Sequence, residues 1–406
     1  MCMAINGKIH KKNDWKRIRN QRSVLMKKIL LSRFLFYLSY VLIVIYYMCG
    51  QIKFLYEINH FIYPLVAIIL IVLILIQSFK YTLKSLVLMF ISIIVFFISY
   101  KNSQNSALFM TLLFILTSKN IEIDNFIKFD FKLKLYLFLF VIILYSFGMT
   151  NVVLKYRDDG TIRYALGFGH PNVLGAILFS MCSSLSLINY KKKNIKVYLF
   201  LFISFLICTF VCDSRASQFG IVILFLLLII MPKIENNKIF NKIIPFLPAV
   251  LLTISYMSAI LYTEKSDFII KLNDLTSTRI KCSSEFLDYY GVNLFGHHFE
   301  YYGMWDKRSY LTVLDNSYMN MLLQFGLAPI IVIMSSLFIT MKKAIKAHKY
   351  AIIICFISLL FYGLMENYAY MIGYNAILIY MSCLIYEKKG KDEDEENSNN
   401  NISLIV

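Results

Sequence analysis

The chain has 406 residues, 59% of them hydrophobic and 16% aromatic, with a formal net charge of +18. That apolar share is above what a soluble domain carries, which excludes an ordinary globular enzyme. The apolar residues fall in blocks of about 17–25, enough to cross a ~30 Å hydrocarbon core as helices, and the short alternating strands of a membrane barrel are not seen.

In chain order, residues 1–33 are basic and the apolar block that follows has no small-residue cleavage site, so they are expected to be a retained cytoplasmic tail. Twelve helical spans are predicted at 34–50, 61–79, 83–100, 105–118, 133–150, 168–189, 197–212, 216–231, 244–262, 317–340, 350–366 and 368–386. The fourth has a short apolar core, Ala107–Thr117. The fold class expected is thus an all-α polytopic membrane protein, with 34–386 as a single helical domain. A large extracytoplasmic loop, 263–316, separates spans 9 and 10. Residues 387–406, acidic and rich in Asn, are expected to form a disordered cytoplasmic tail.

With the N-terminus inside, 30 of the 42 Lys and Arg residues fall on cytoplasmic segments, and the outer face is close to neutral. The basic charge therefore reports orientation on an anionic leaflet, with membrane lipid as the surroundings and no nucleic-acid partner. Both termini are expected to be cytoplasmic. Of the eight cysteines, only Cys282 falls in an outer loop, so no outer disulfide within the chain is expected.

Charges inside the spans would mark an ion or proton path, but the span centres are clean, with Asp213 and Glu366 at outer ends. Polar chemistry gathers instead in the outer connections 151–167 and 263–316. "GHPN" (Gly169–Asn172) opens the sixth span, "DSRAS" (Asp213–Ser217) the eighth and "LDNSY" (Leu314–Tyr318) the tenth. All three spans run from outside to inside, so their unpaired N–H groups point outward and suit anions. Pro171 fits a first helical turn, and Ser214 or Asn316 can cap. Taken singly, each motif reads equally well as an ordinary cap.

Of the nine arginines, Arg17, Arg19, Arg22 and Arg33 lie in the N-tail, and Arg157, Arg163, Arg215, Arg279 and Arg308 lie outside. The cytoplasmic loops use only lysine. Lysine suffices as a topology signal, whereas a guanidinium fork suits bidentate phosphate contacts. The plainer alternatives are headgroup anchoring or pairing with Asp158, Asp159 and Asp213. In the long loop, the spacing of Phe268, Ile269, Leu272 and Leu275 predicts amphipathic helices at the interface, with Arg279 on or near a polar face. The adjacent His297 and His298 lack the spacing of a helical metal-ligand pair, and no metal is expected.

The set "IRYALGFGHPN", "CDSRAS", "STRIKCSSEFLDYYGVNLFGHH" and "LDNSYMNMLLQFGL" resembles the O-antigen polymerase and ligase superfamily, in particular Wzy-type polymerases of capsule or exopolysaccharide clusters. The resemblance runs from about residue 156 to 330, with the motifs in matching order. It implies a bacterial cell-membrane enzyme that transfers a glycan from a polyprenyl-diphosphate-linked oligosaccharide, inverting, without metal or cofactor. By matching position, Arg163, Arg215 and Arg279 would hold the diphosphate. His170 and Asn172 would shape the mouth, with Asn316 and His298 as further shaping residues. Asp315 would lie near the acceptor hydroxyl as general base, with His170 as the second candidate. A flippase and a chain-length regulator of the same pathway are the candidate protein partners.

Asp315 is also a departure, because the ligases of this superfamily carry His at that place. A carboxylate can still take a proton from a sugar hydroxyl if it is ionised and within reach. Polymerase is therefore the leading expectation. Ligation of polymer to a cell-surface acceptor, flipping of the lipid-linked unit and a scaffolding role are the alternatives.

Overall fold

The computed structural model describes residues 2–77, 82–157, 160–192, 194–263, 267–300, 311 and 313–385. Asp158, Asp159, Arg308 and the acidic tail 387–406 lie outside the described residues. The first third is helical: α1 (Cys2–Cys49), the short α2 (Lys53–Tyr56), α3 (Asn59–Gln77), α4 (Leu83–Ser103), α5 (Ala107–Thr117) and α6 (Ile123–Ser146). A hairpin follows, β1 (Leu154–Tyr156) and β2 (Ile162–Tyr164), and then α7 (Pro171–Asn189), α8 (Ile195–Phe210) and α9 (Arg215–Ile234). The remainder comprises α10 (Lys238–Ile243), α11 (Leu247–Thr263), α12 (Asp267–Leu275), α13 (Arg279–Tyr290), α14 (Ser317–Asn320), α15 (Leu327–Lys346) and α16 (Tyr350–Tyr362).

Seven helices among the described residues are long and apolar enough to cross a membrane. Ile68 on α3, Phe90 on α4 and Phe202 on α8 are exposed, and such apolar faces suit hydrocarbon rather than water. By contrast α7 is buried along most of its length, and it packs against α6, α8, α9 and α16. A small residue permits its closest crossing. A Cβ on Gly175 would come within 2.5 Å of Ser217 Oγ and 2.6 Å of Ser214 Oγ, so only glycine lets the start of α7 meet the start of α9.

Four departures from the expected spans have identifiable causes. The connection 151–167 holds an antiparallel hairpin pairing Lys155 with Arg163, so the chain is not wholly α. Next, α6 begins at Ile123, which brings Asp130 and Lys134 inside the bundle instead of at its cytoplasmic edge. They form an ion pair of 2.7 Å. Tyr40 and Ser184 donate to the Asp130 carboxylate at 2.5 and 2.7 Å, and Lys134 Nζ donates to Ser180 Oγ and the Tyr374 carbonyl, both at 2.8 Å. Every charge in this knot is answered, which is the condition for burying it.

The expected tenth span is interrupted. Residues Met321–Phe325 form a π turn, Gly326 has φ 97°, and α15 starts only at Leu327. The segment after α13 docks into this break: Leu327 N donates to Asn293 O, and Ala328 N to Leu294 O, both at 2.9 Å. The approach is so close that a Cβ on Gly296 would lie 2.1 Å from Gln324 O. The expected twelfth span is not α-helical either. It consists of two 3-10 stretches, Asn367–Tyr370 and Ala376–Leu384. Side chains take the backbone groups that an α-helix would use there: Thr111 Oγ1 donates to Tyr370 O at 2.9 Å and accepts from Ile372 N at 3.1 Å.

Candidate functional site

The hairpin sets the first two arginines. Arg163, on β2, donates from Nε to Cys212 O (3.0 Å) and from Nη2 to Asn172 Oδ1 (2.5 Å). One guanidinium thereby ties the hairpin to the starts of α7 and α9. Arg157 forms an ion pair with Asp213 and also donates to the Asp213 carbonyl at 2.8 Å. Its partner is thus Asp213, one of the three carboxylates open to it from the sequence.

At the start of α7, His170 is the N-cap: its Nδ1 accepts from the backbone N–H of Asn172 at 3.1 Å. Burial, Arg163 and Lys155 push the imidazole down to about 4, so it is neutral near pH 7. With Nδ1 accepting, the ring proton sits on Nε2, and His170 can offer the cavity a donor but not a base. At the start of α9, Ser214 occupies the N-cap position without making a side-chain cap bond, and its hydroxyl donates instead to Ser217 Oγ at 3.0 Å. Arg215 Nη1 donates to Ser277 Oγ at 2.8 Å.

Ser277 and Thr278 both take left-handed backbone angles, φ 54° and 64°, and turn the chain into α13. That turn aims Arg279 inward. Its Nε donates to Met365 O (2.5 Å), its Nη1 to Thr276 O (3.0 Å), and its Nη2 lies 3.7 Å from Asp315 Oδ2. Burial raises Asp315 above the usual carboxylate range, and Arg279 and Arg163 oppose that rise.

These side chains share one cavity of about 380 Å³, whose walls include Arg163, His170, Asn172, Arg215, Arg279 and Asp315. Six of the eight residues expected at the site are therefore brought together from five separate stretches of chain. The other two lie elsewhere. Asn316 caps α14, accepting from Tyr318 N and Met319 N at 2.9 and 3.1 Å, and its amide donates to Ser255 Oγ at 3.1 Å. The ring of His298 lies against the Ser103 carbonyl, with Nδ1 at 3.3 Å, and is not on the cavity wall.

The cavity also holds residues to which the sequence assigned no role in the site. Arg157 and Ser277 line it, as do Glu366, Asn367 and Tyr368, which follow α16. The signal for Glu366 was its isolation: a lone acid in the apolar stretch "YGLMENYAY". Beside the cavity lies a groove of about 590 Å³ lined by apolar residues such as Phe219, Val222, Ile254 and Leu275. Arg215 and Arg279 border both spaces, and Asn316 faces the groove. No group of three or more His, Cys, Asp or Glu able to hold a metal occurs among the described residues.

No known protein family, curated protein or solved structure matches the chain.

Proposed function

We propose that this protein is a Wzy-type polysaccharide polymerase of the O-antigen polymerase and ligase superfamily. It would act at the outer leaflet of a bacterial cell membrane, with twelve crossings, both termini cytoplasmic and the cavity facing outward. The observation that carries the reading is the sharing of Arg215 and Arg279 between a polar cavity and an apolar groove. A ligand with an anionic head and a long apolar tail fits that pair of spaces, and a polyprenyl-diphosphate-linked oligosaccharide has both.

In this reading Arg163, Arg215 and Arg279 hold the diphosphate. Preorganised donors of that kind stabilise charge that develops on a leaving group. The acceptor hydroxyl oxygen bonds to the anomeric carbon of the donor sugar, and the bond from that carbon to the diphosphate oxygen breaks. Its electron pair leaves on the diphosphate, while the hydroxyl proton passes to the Asp315 carboxylate. His170, engaged as a cap, holds the mouth of α7 in place. The groove along α9 and α11 takes the first part of the lipid.

Deleting the gene in its host and separating the lipid-linked glycans tests the reading. Single repeat units accumulating on the outer face are expected. Units trapped inside would indicate a flippase, and long polymer left on the lipid would indicate a ligase.

A further inference from the structure

Glu366 is the one acidic side chain on the cavity wall that has neither a basic partner nor an assigned role. It is 1% exposed, and its Oε2 has no hydrogen-bond partner among the described residues. No Lys or Arg among the described residues makes an ion pair with it, although Asp315 on the same wall faces Arg279. Its own backbone is fixed: Ser317 Oγ donates to the Glu366 carbonyl at 2.6 Å, and Ser317 N donates to Gly363 O at 2.8 Å. The backbone that carries the side chain is thus anchored at the wall, and one carboxyl oxygen is unanswered. An unanswered buried oxygen is costly unless a ligand supplies its partner.

We propose that Glu366 serves the cavity as an uncharged hydrogen-bond donor to the bound anion. This rests on the diphosphate reading given above and adds to it the residue that matches the charge of the site.

The charges on the wall support the assignment. Arg157 is cancelled by Asp213. Arg163, Arg215 and Arg279 remain against Asp315, a net of two positive charges if Glu366 is neutral. A diphosphate joined at one end to a lipid and at the other to a sugar carries one negative charge on each phosphate, so the two balance. An ionised Glu366 would leave the loaded site negative and would repel the ligand.

The surroundings of Glu366 favour the neutral form. Burial is the largest influence and the Asp315 carboxylate the next, both raising it; Arg279, Arg163 and the Asn367 N–H oppose them. Tyr362, Tyr368 and Tyr374 are the other titratable side chains that face it. Two carboxylates on one wall divide their roles by environment, and the one nearer an arginine keeps the charge. Asp315 is therefore the base and Glu366 the acid that stays protonated.

Infrared difference spectra and diphosphate binding on the purified full chain test this, with Glu366→Gln and Glu366→Leu as variants and inorganic diphosphate as the probe. Wild type at neutral pH should show a protonated-carboxyl carbonyl band that is missing in Glu366→Gln and that moves when diphosphate is added. Gln, which donates without charge, should bind diphosphate within about threefold of wild type. Leu, which cannot donate, should bind about tenfold or more weakly, the worth of a hydrogen bond to a charged group. Diphosphate binding with no band lost in Glu366→Gln would overturn the donor role alone. So would a folded Glu366→Gln protein that no longer binds. If wild type keeps the band but binds no diphosphate, the diphosphate reading and the donor role fall together.

Discussion

Arg279 Nη2 and Asp315 Oδ2 stand 3.7 Å apart, and the same guanidinium is anchored to two carbonyls, Met365 O and Thr276 O. The arginine is therefore fixed before any ligand arrives, and it touches both Asp315, the proposed base, and the cavity proposed for the leaving group. Lysine cannot reproduce that three-way fork. Arg279→Lys is expected to lower transfer by about a hundredfold to a thousandfold, the range for removing one preorganised donor. Polymer length on gels, normalised to protein level, is the measure; unchanged polymer would remove Arg279 from the site. Asp315→Asn is expected to abolish transfer altogether, with the protein still present in the membrane.

The pH dependence follows from the same pair. Burial raises Asp315, so its carboxylate forms only above the ordinary carboxylate range. Transfer that needs the ionised base should fall as pH drops through that raised value. Removing Arg279, which opposes the rise, should move this acid limb to still higher pH. His170, held down to about 4, should contribute no limb between pH 5 and 8. A rate profile of wild type against Arg279→Gln, taken on residual activity, reads the direction of the shift.

For His170 the structure separates cap from base. Asn is an effective N-cap, whereas Ala is not, and the loss amounts to about 1 kcal/mol. His170→Asn should therefore keep both thermal stability and polymer, and His170→Ala should lower the unfolding temperature. Loss of polymer in a stable His170→Asn protein would restore the imidazole to the chemistry.

Asp130 and Lys134 supply a stability test away from the cavity. Lys134→Met leaves the Asp130 carboxylate buried with hydroxyl partners only, and should cost about 3–5 kcal/mol. The double variant Asp130→Asn with Lys134→Met should lose less than the single one. Unfolding of the detergent-solubilised protein gives both numbers, and equal losses would contradict the pairing.

Much of the cavity was legible in the chain, for a physical reason. In the sequence, arginine on a face expected to discourage positive charge, together with polar residues at the starts of helices expected to run the same way, pointed to an anion site. That reasoning singled out the arginines outside the N-tail and the helix starts that carry His170, Asn172 and Asp315, and the family resemblance chose Arg163, Arg215 and Arg279 among the arginines. It did not find that Glu366 lines the cavity, because a lone acid beside an apolar run reads as the edge of a span until its neighbours are known. The expected fifth span, 133–150, left Asp130 just before it and Lys134 at its edge for the same reason: hydropathy counts charges but cannot see that they meet. The interruptions at Gly326 and after Tyr370 were hidden more deeply. They depend on contacts with Gly296 and Thr111, distant in sequence, and apolarity carries no information about backbone angles. The hairpin was missed because its strands are three residues long.

The contact of Gly296 with Gln324 and Gly326 joins residues 293–297 and 323–328 into one rigid piece. In the proposed polymerase, a lineage adapting to a different sugar would vary the exposed residues around the end of α13 first, since side chains there can change without disturbing the bundle. It could exchange exposed residues such as Tyr289 or Val292 at little cost. The two glycines could not drift singly, because a side chain on either would push residues 293–297 off the interrupted helix that follows Asp315. Specificity and chemistry would then evolve on different residues of the same loop, with the glycine pair as the fixed border between them.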